Sequence, residues 1–197
     1  PAVGVQSVVQ AIFQHGRLVG AHCAETIRVS AGGGPMLRVS ASHPNVVEDV
    51  RRLGEHLAWH GPMFLEYFYD RGSGGAQYIE ANPRIGEPVN AMLCGVNLCE
   101  LMVRISLGEQ VEPVPPSRPG VRSHLGFIWL IAASVKGATR RQLLAEIWRM
   151  RMGTGDFANC ENEITRPRED WLSVVPATAT TLQLLLCPRS ADEIIRR

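Results

Sequence analysis

The chain is almost without lysine. Of its 20 basic residues, Lys136 alone is lysine and the other 19 are arginine, a bias that reflects genome composition more than function. The arginines are scattered, no short window is packed with them, and the formal net charge is +1. The electrostatic footprint of a nucleic-acid binder is therefore missing. Long apolar runs are missing too. The longest, residues 127–135, is too short to span a bilayer. Residues 1–14 lack the basic start and cleavage pattern of a signal peptide. No CxxC pair occurs, and the five cysteines (Cys23, Cys94, Cys99, Cys160, Cys187) are an odd number. They read as reduced, mostly buried thiols, which places the expected compartment in the cytoplasm. What remains is 197 residues, 45% of them apolar, enough for one or two compact globular domains with a real core.

Strand and helix periods alternate along the chain. Residues 3–13 and 17–29 are extended runs around His15-Gly16, a hairpin pattern. The stretch 30–35, SAGGGP, reads as a flexible loop; it is not followed by Gly-Lys-Ser/Thr and so is no P-loop. A short strand is expected at 36–41. Ser42 then reads as the N-cap of a helix with Pro44 in its first turn, and Gly61-Pro62 stops it. Residues 63–70 and 76–81 are two more strands. Short helices follow at 88–94 and 97–107, the second capped by Asn97. Residues 109–120 hold four prolines and read as a linker. Residues 127–135, 140–150 and 177–186 look helical, with Pro167 and Pro176 breaking the run between them. These elements predict an α+β fold: an antiparallel sheet with helices on one face, followed by a helical tail.

The segment richest in chemistry is 63–84, MFLEYFYDRGSGGAQYIEANPR. A turn centred on Ser73 sets Asp70 against Ala76, Phe68 against Tyr78 and Glu66 against Glu80. Strand side chains alternate, so Glu66, Phe68, Tyr78, Glu80 and Asn82 share one face, while Leu65, Tyr67, Ile79 and Ala81 share the core face. Two carboxylates directly opposite each other, with Cβ atoms roughly 5 Å apart, repel. Either both point into water or a cation lies between them. Two carboxylates and an amide carbonyl are oxygen ligands, which suit Mg²⁺ completed by phosphate and water. Arg84, two residues further on, can then meet a phosphate through its planar fork.

At these residues the chain resembles the ATP-grasp superfamily. The segment 78–84, YIEANPR, with 91–108, AMLCGVNLCELMVRISLG, is similar to that family's Glu-x-Asn-Pro-Arg strand, Ala-rich segment and Leu-x-x-Gly helix end. Glu66 stands where the family places the acidic partner, and residues 6–28 are similar to its first strands after the adenine hinge. The likeness covers about residues 3–110, and the carboxylate–amine ligase, carbamoyl-phosphate-synthetase-like and biotin-carboxylase-like branches are nearest. It implies that residues 1–112 form the C-terminal ATP-grasp lobe and that 113–197 form a Pro-rich linker and helical tail packing on it. It implies ATP with Mg²⁺, or Mn²⁺ in its place, held through Glu66, Glu80 and Asn82 as metal ligands, with Arg84 holding the reacting phosphate or carboxylate. The implied reaction phosphorylates a carboxylate to an acyl phosphate that an amine attacks, with release of ADP. The alternatives are carbamoyl-phosphate-synthetase-like or carboxylase activity on bicarbonate, and a nucleotide-binding module without turnover.

Two departures accompany the likeness. The family's preceding lobe carries a phosphate-binding lysine, a glycine-rich loop and the adenine hinge, none of which falls within these residues. The chain is thus expected to be a fragment whose partners are that missing lobe, small-molecule carboxylate and amine substrates and, as an option, further copies of itself, with no nucleic acid and no membrane. The run Ile85-Gly86-Glu87-Pro88 also differs from the Val-Glu-His-Pro of biotin carboxylases. Elsewhere, Glu87 reads as the most promising extra site residue. His22 and Glu25, three apart in a strand, face opposite sides. His43 reads as part of a helix cap, Arg28 and Arg38 as solvated, Cys94 and Cys99 as core, and Asp156, Glu161 and Glu163 as a solvated loop.

Overall fold

The computed structural model describes residues 4–30, 34–163 and 171–191. The glycines at 32 and 33 and Pro167, each given a role above, lie outside them. The chain divides into two compact units: residues 1–26 with 38–121, and residues 27–37 with 122–197.

The first unit is built on β1 (Val5–Gln14), β2 (Arg17–Val29) up to residue 26, β3 (Pro35–Ala41) from residue 38, β4 (Gly61–Asp70) and β5 (Gly75–Asn82). They lie in the order β5-β4-β1-β2-β3. β1 pairs antiparallel with both β2 and β4, and β4 pairs antiparallel with β5. The β1–β2 turn is tight because His15 and Gly16 both take positive φ, at 50° and 84°. That primed geometry matches the twist of the strands it joins.

Period-2 alternation along β1 sends its side chains to two different cores. Val9, Ala11 and Phe13 pack with Cys23, Met63, Leu65 and Tyr67 beneath Val46 and Val50 of α1 (Pro44–His56). Ile12, on the opposite face, packs with Ala91 of α2 (Val89–Leu93) and with Leu98, Leu101 and Ile105 of α3 (Leu98–Ser106). The α+β class and the antiparallel sheet are as expected, but the helices are divided between the two faces rather than gathered on one. The physical reason is that β1 carries buried apolar residues on both faces, Val8 and Ile12 on one and Val9, Ala11 and Phe13 on the other, so both must be covered.

Local signals explain most element ends. Asn97 caps α3 by accepting a hydrogen bond from the Glu100 amide at 3.1 Å, and Gly108 ends it with φ +79°. α1 departs from expectation: its N-cap residue is His43, not Ser42, and no side chain caps it. Residues 109–120 are laced to the first unit rather than free. Val114 N–H donates to Val19 O at 2.9 Å, Arg118 N–H to Cys94 O at 3.0 Å and Gly120 N–H to Ser40 O at 2.8 Å.

The second unit holds α4 (Gly126–Val135), α5 (Arg140–Met152) and α6 (Trp171–Leu186) around Leu130, Ile131, Leu143 and Leu184. Two three-residue strands, β6 (Arg122–His124) and β7 (Cys160–Asn162), pair in parallel. They are too short to show in a sequence pattern. Thr139 and Gln142 form a capping box at the start of α5, and Gly153 ends it in the left-handed region. Pro176 does not break the run as expected but lies inside α6. It forgoes the hydrogen bond that its missing N–H would have donated, and its ring crowds the carbonyl four residues earlier.

Close packing makes one glycine of α1 a sensitive position. A Cβ on Gly54 would stand 2.0 Å from Cε1 of Phe13, whose side chain is fully buried and has no room to retreat. Gly54→Ala is expected to lower stability by about 1–3 kcal/mol despite alanine's better helix propensity. Urea unfolding checks this, and an unchanged midpoint would mean that α1 does not seat on Phe13.

Candidate functional site

The β4–β5 ladder opposes Glu66 to Glu80, Leu65 to Ala81 and Phe64 to Asn82. The two carboxylates and the amide therefore share a face, as the sequence predicts. Towards the turn the expected register fails. A bulge falls between Glu66 and Tyr67, so that Tyr67 faces Tyr78, Phe68 faces Gln77 and Asp70 faces Gly75. Ile79 is the residue without an opposite number, and it is 57% exposed instead of buried. The extra residue reverses the alternation. It turns Tyr78 towards the α1 face, where its ring lies 5.8 Å from that of Tyr67 and its hydroxyl donates to Asp49 at 3.0 Å.

The backbone of the loop after β5 is held by a side chain of the central strand. Gln10 of β1, opposite Phe64, accepts a hydrogen bond from Gly86 N–H at 2.8 Å and donates to Glu87 O at 2.9 Å. A Cβ on Gly86 would stand 2.7 Å from the Phe64 ring, so the loop approaches more closely than any other residue would allow. This brings the exposed Arg84 over the other end of the site, its guanidinium carbon 5.4 Å from the Phe64 ring centre. Glu87 meets Arg38 of β3, whose Nη1 and Nη2 lie 3.3 and 3.4 Å from its Oε2. Arg38 is 2% exposed, which overturns its reading as solvated surface. Arg28 is largely exposed as expected, pairing with Asp156 at 3.4 Å.

The electrostatics match the geometry. Burial, then the nearby Glu80 charge, and more weakly Glu87, hold the Glu66 carboxyl above its ordinary pKa, with Arg84 opposing them. Asn82 donates its amide to Glu80 Oε1 at 2.8 Å, which leaves the Asn82 carbonyl oxygen as the acceptor for anything bound here. Among the described residues, no group of three or more His, Cys, Asp or Glu could hold a metal ion. A cation at this face would draw on two carboxylates, one amide oxygen and ligands from outside the protein, a set that suits Mg²⁺ better than a softer ion. The repulsion between Glu66 and Glu80 is what such an ion would relieve.

Behind Gln10 lies His22, whose Nε2 is 2.9 Å from Asn90 Oδ1 and whose pKa burial lowers to about 4. On the opposite face Tyr67 Oη lies 2.7 Å from His43 Nδ1, and His43 Nε2 lies 3.3 Å from Glu25, which also takes Arg71. His22 and Glu25 thus face opposite ways, as expected, and His43 holds a network as well as its cap position. Burial pushes the Cys23 thiol up to about 12, and Cys94 is also buried, but Cys99 is exposed rather than core. Glu163 is buried as well, accepting from Ser123 Oγ at 2.6 Å, instead of lying in a solvated loop. The sequence reading missed Gln10 and the burial of Arg38. The available signal was a polar residue recurring inside otherwise apolar strands.

No protein-family model and no curated protein matches the chain. Solved structures do. The Rhizobium etli pyruvate carboxylase T882A structure is 18% identical with a TM-score of 0.48, covering 62% of this chain and 14% of that one. The biotin carboxylase domain of Hydrogenobacter thermophilus 2-oxoglutarate carboxylase, in complex with MgADP, ADP and bicarbonate, is 18% identical with a TM-score of 0.47, covering 60% of this chain and 28% of that one. The Campylobacter jejuni biotin carboxylase β,γ-ATP complex is 18% identical with a TM-score of 0.44, covering 54% and 26%. The chain thus spans between about one seventh and just over one quarter of these proteins.

A raised carboxyl pKa has a stability consequence of definite sign. Folding favours the protonated form of Glu66, so its ionisation costs stability at neutral pH. That cost vanishes as pH falls through the raised value to below the ordinary glutamate range. In chelator-treated protein, Glu66→Gln is expected to be more stable than the parent at pH 7 by about 0.5 kcal/mol, a modest figure because the pair is partly solvated. The gap should close near pH 4. Urea midpoints across this range test it, and a variant less stable at pH 7 would contradict the carboxylate conflict.

Proposed function

We propose that this chain is the metal- and phosphate-binding half of an ATP-grasp ligase, which forms an acyl phosphate from a carboxylate and passes it to an amine with release of ADP. The observation that supports this reading is the opposed pair Glu66 and Glu80, flanked by Asn82 and approached by Arg84. Glu66, Glu80 and the Asn82 carbonyl would hold Mg²⁺, or Mn²⁺, which shares its preference for hard oxygen ligands. When bound, the ion supplies neutralisation of the phosphate charge that builds up in phosphoryl transfer. The chain's own residues do the rest. The exposed guanidinium of Arg84 presents a planar fork to a phosphate or carboxylate oxygen. Its stacking over Phe64 keeps it near the carboxylates. Gln10 fixes the loop that carries Arg84 and Glu87, and the ion pair to Arg38 holds the Glu87 carboxylate to one side.

In this reading the ATP-grasp lobe that carries the adenine hinge is the chain's principal partner, with ATP and the small carboxylate and amine as ligands. Bicarbonate as the carboxylate would use the same residues, and whether ADP release depends on bicarbonate or on an amine separates the two.

The reading is tested by thermal unfolding of the chain with and without millimolar Mg²⁺ and ADP, for the parent and for Glu80→Gln. The parent should be stabilised and the variant should not. In the protein that also contains the other lobe, Glu80→Gln should lower ADP release by about 100-fold or more, as loss of a charge-stabilising group does. Equal stabilisation of both forms by Mg²⁺, or near-normal turnover by the variant, would sink the assignment.

A further inference from the structure

The second unit contains a cavity of about 580 Å³ that the ligase reading does not use. This size falls in the range of small-molecule sites, roughly 300–1,000 Å³. Its apolar wall includes Leu130 of α4, Ile147 of α5 and Leu182 of α6, and its polar groups include His124, Arg151 and the first turn of α4 at Gly126.

Two independent features point to a ligand. The first is α4 itself, ten residues long. Its N-cap is Leu125, which offers no side-chain cap to the amides of the opening turn. Such amides, with the helix dipole behind them, favour a negative group. The second is His124. It is 4% exposed and lines the cavity, yet its Nδ1 has no hydrogen-bond partner. A buried polar atom left unpaired is costly and rare in native proteins. Gly126 adjoins it: a Cβ there would stand 3.3 Å from His124 Nδ1, a tight approach that the glycine avoids. His124 is otherwise held by its ring against Phe157, with centres 4.9 Å apart.

We propose that this cavity is a second small-ligand site, which takes an amphipathic monocarboxylate. The hydrocarbon body would lie against Leu130, Ile147 and Leu182. The carboxylate would be met by Arg151, the uncapped amides of α4 and His124 Nδ1 as donor. The alternative of a neutral apolar guest would leave the His124 nitrogen and the helix amides as they are. The site is independent of the ligase reading and stands or falls separately from it.

The test is calorimetric titration of the chain with hexanoate, and with 1-hexanol as the neutral probe of equal length. Hexanoate should bind at least about tenfold more tightly than 1-hexanol, the scale of a charge-assisted hydrogen bond. Arg151→Ala, at an exposed position, should remove most of that preference and leave hexanol binding unchanged. His124→Phe, which keeps the ring against Phe157, should also weaken hexanoate selectively. Ala177→Leu, which adds bulk at the wall, should block both probes while circular dichroism stays native. No hexanoate binding, equal binding of the two probes, or an Arg151→Ala variant that keeps the preference would each overturn the proposal.

Discussion

The first unit depends on one unfavourable arrangement, two carboxylates facing each other across a pair of strands. The ladder that opposes Glu66 to Glu80 is continued by Leu65 with Ala81 and Phe64 with Asn82, so the backbone keeps the two side chains opposite each other. Neither carboxylate has an arginine as a direct hydrogen-bond partner among the contacts described above. Arg84 is close enough only to soften the conflict, and Arg38 is committed to Glu87. A fold that keeps such a pair gives up a little stability at neutral pH. What it gains is a face where, on the proposed reading, a cation would bind without having to displace a competing positive side chain.

Much of the scaffold around this pair is organised by polar side chains that apolar patterning does not predict. Gln10 and Arg38 lie on the carboxylate face, and Glu25, His43 and Tyr67 on the face under α1. Each joins segments far apart in sequence. Gln10 holds the loop after β5, Arg38 reaches Glu87, and Glu25 takes Arg71 from the β4–β5 turn. His43 lies between Glu25 and Tyr67, and Tyr67 directly follows Glu66 at the bulge. The site is thus braced from both faces of the strand that carries its first carboxylate.

The parts of this arrangement that were legible in the sequence are those written in local periodicity. The extents of β2 and α3, the Asn97 cap and the Glu66–Glu80 opposition all follow from alternation and turn chemistry. The opposition was recovered even though the turn was placed one residue out, because the bulge cancels the error just before Glu66 is reached. The bulge itself was not legible, since Ile79 is as good a core residue as any by type. The division of helices between two faces was also hidden. It requires knowing that Ile12 and Phe13, adjacent in β1, are both fully buried. Burial of Arg38 was invisible for the opposite reason: the partner that makes it tolerable, Glu87, is 49 residues away. β6 and β7 were missed because three residues cannot display a period.

The bulge at Ile79 has a second consequence. β5 is the outermost strand on its side of the sheet. A flat outer strand with an exposed isoleucine would be an inviting template on which another polypeptide could extend the sheet, the first step towards fibrous aggregates. With one residue out of step midway along its eight, β5 cannot offer an unbroken row of amides and carbonyls to a newcomer. The irregularity beside the carboxylates is therefore also a guard on the sheet's open border.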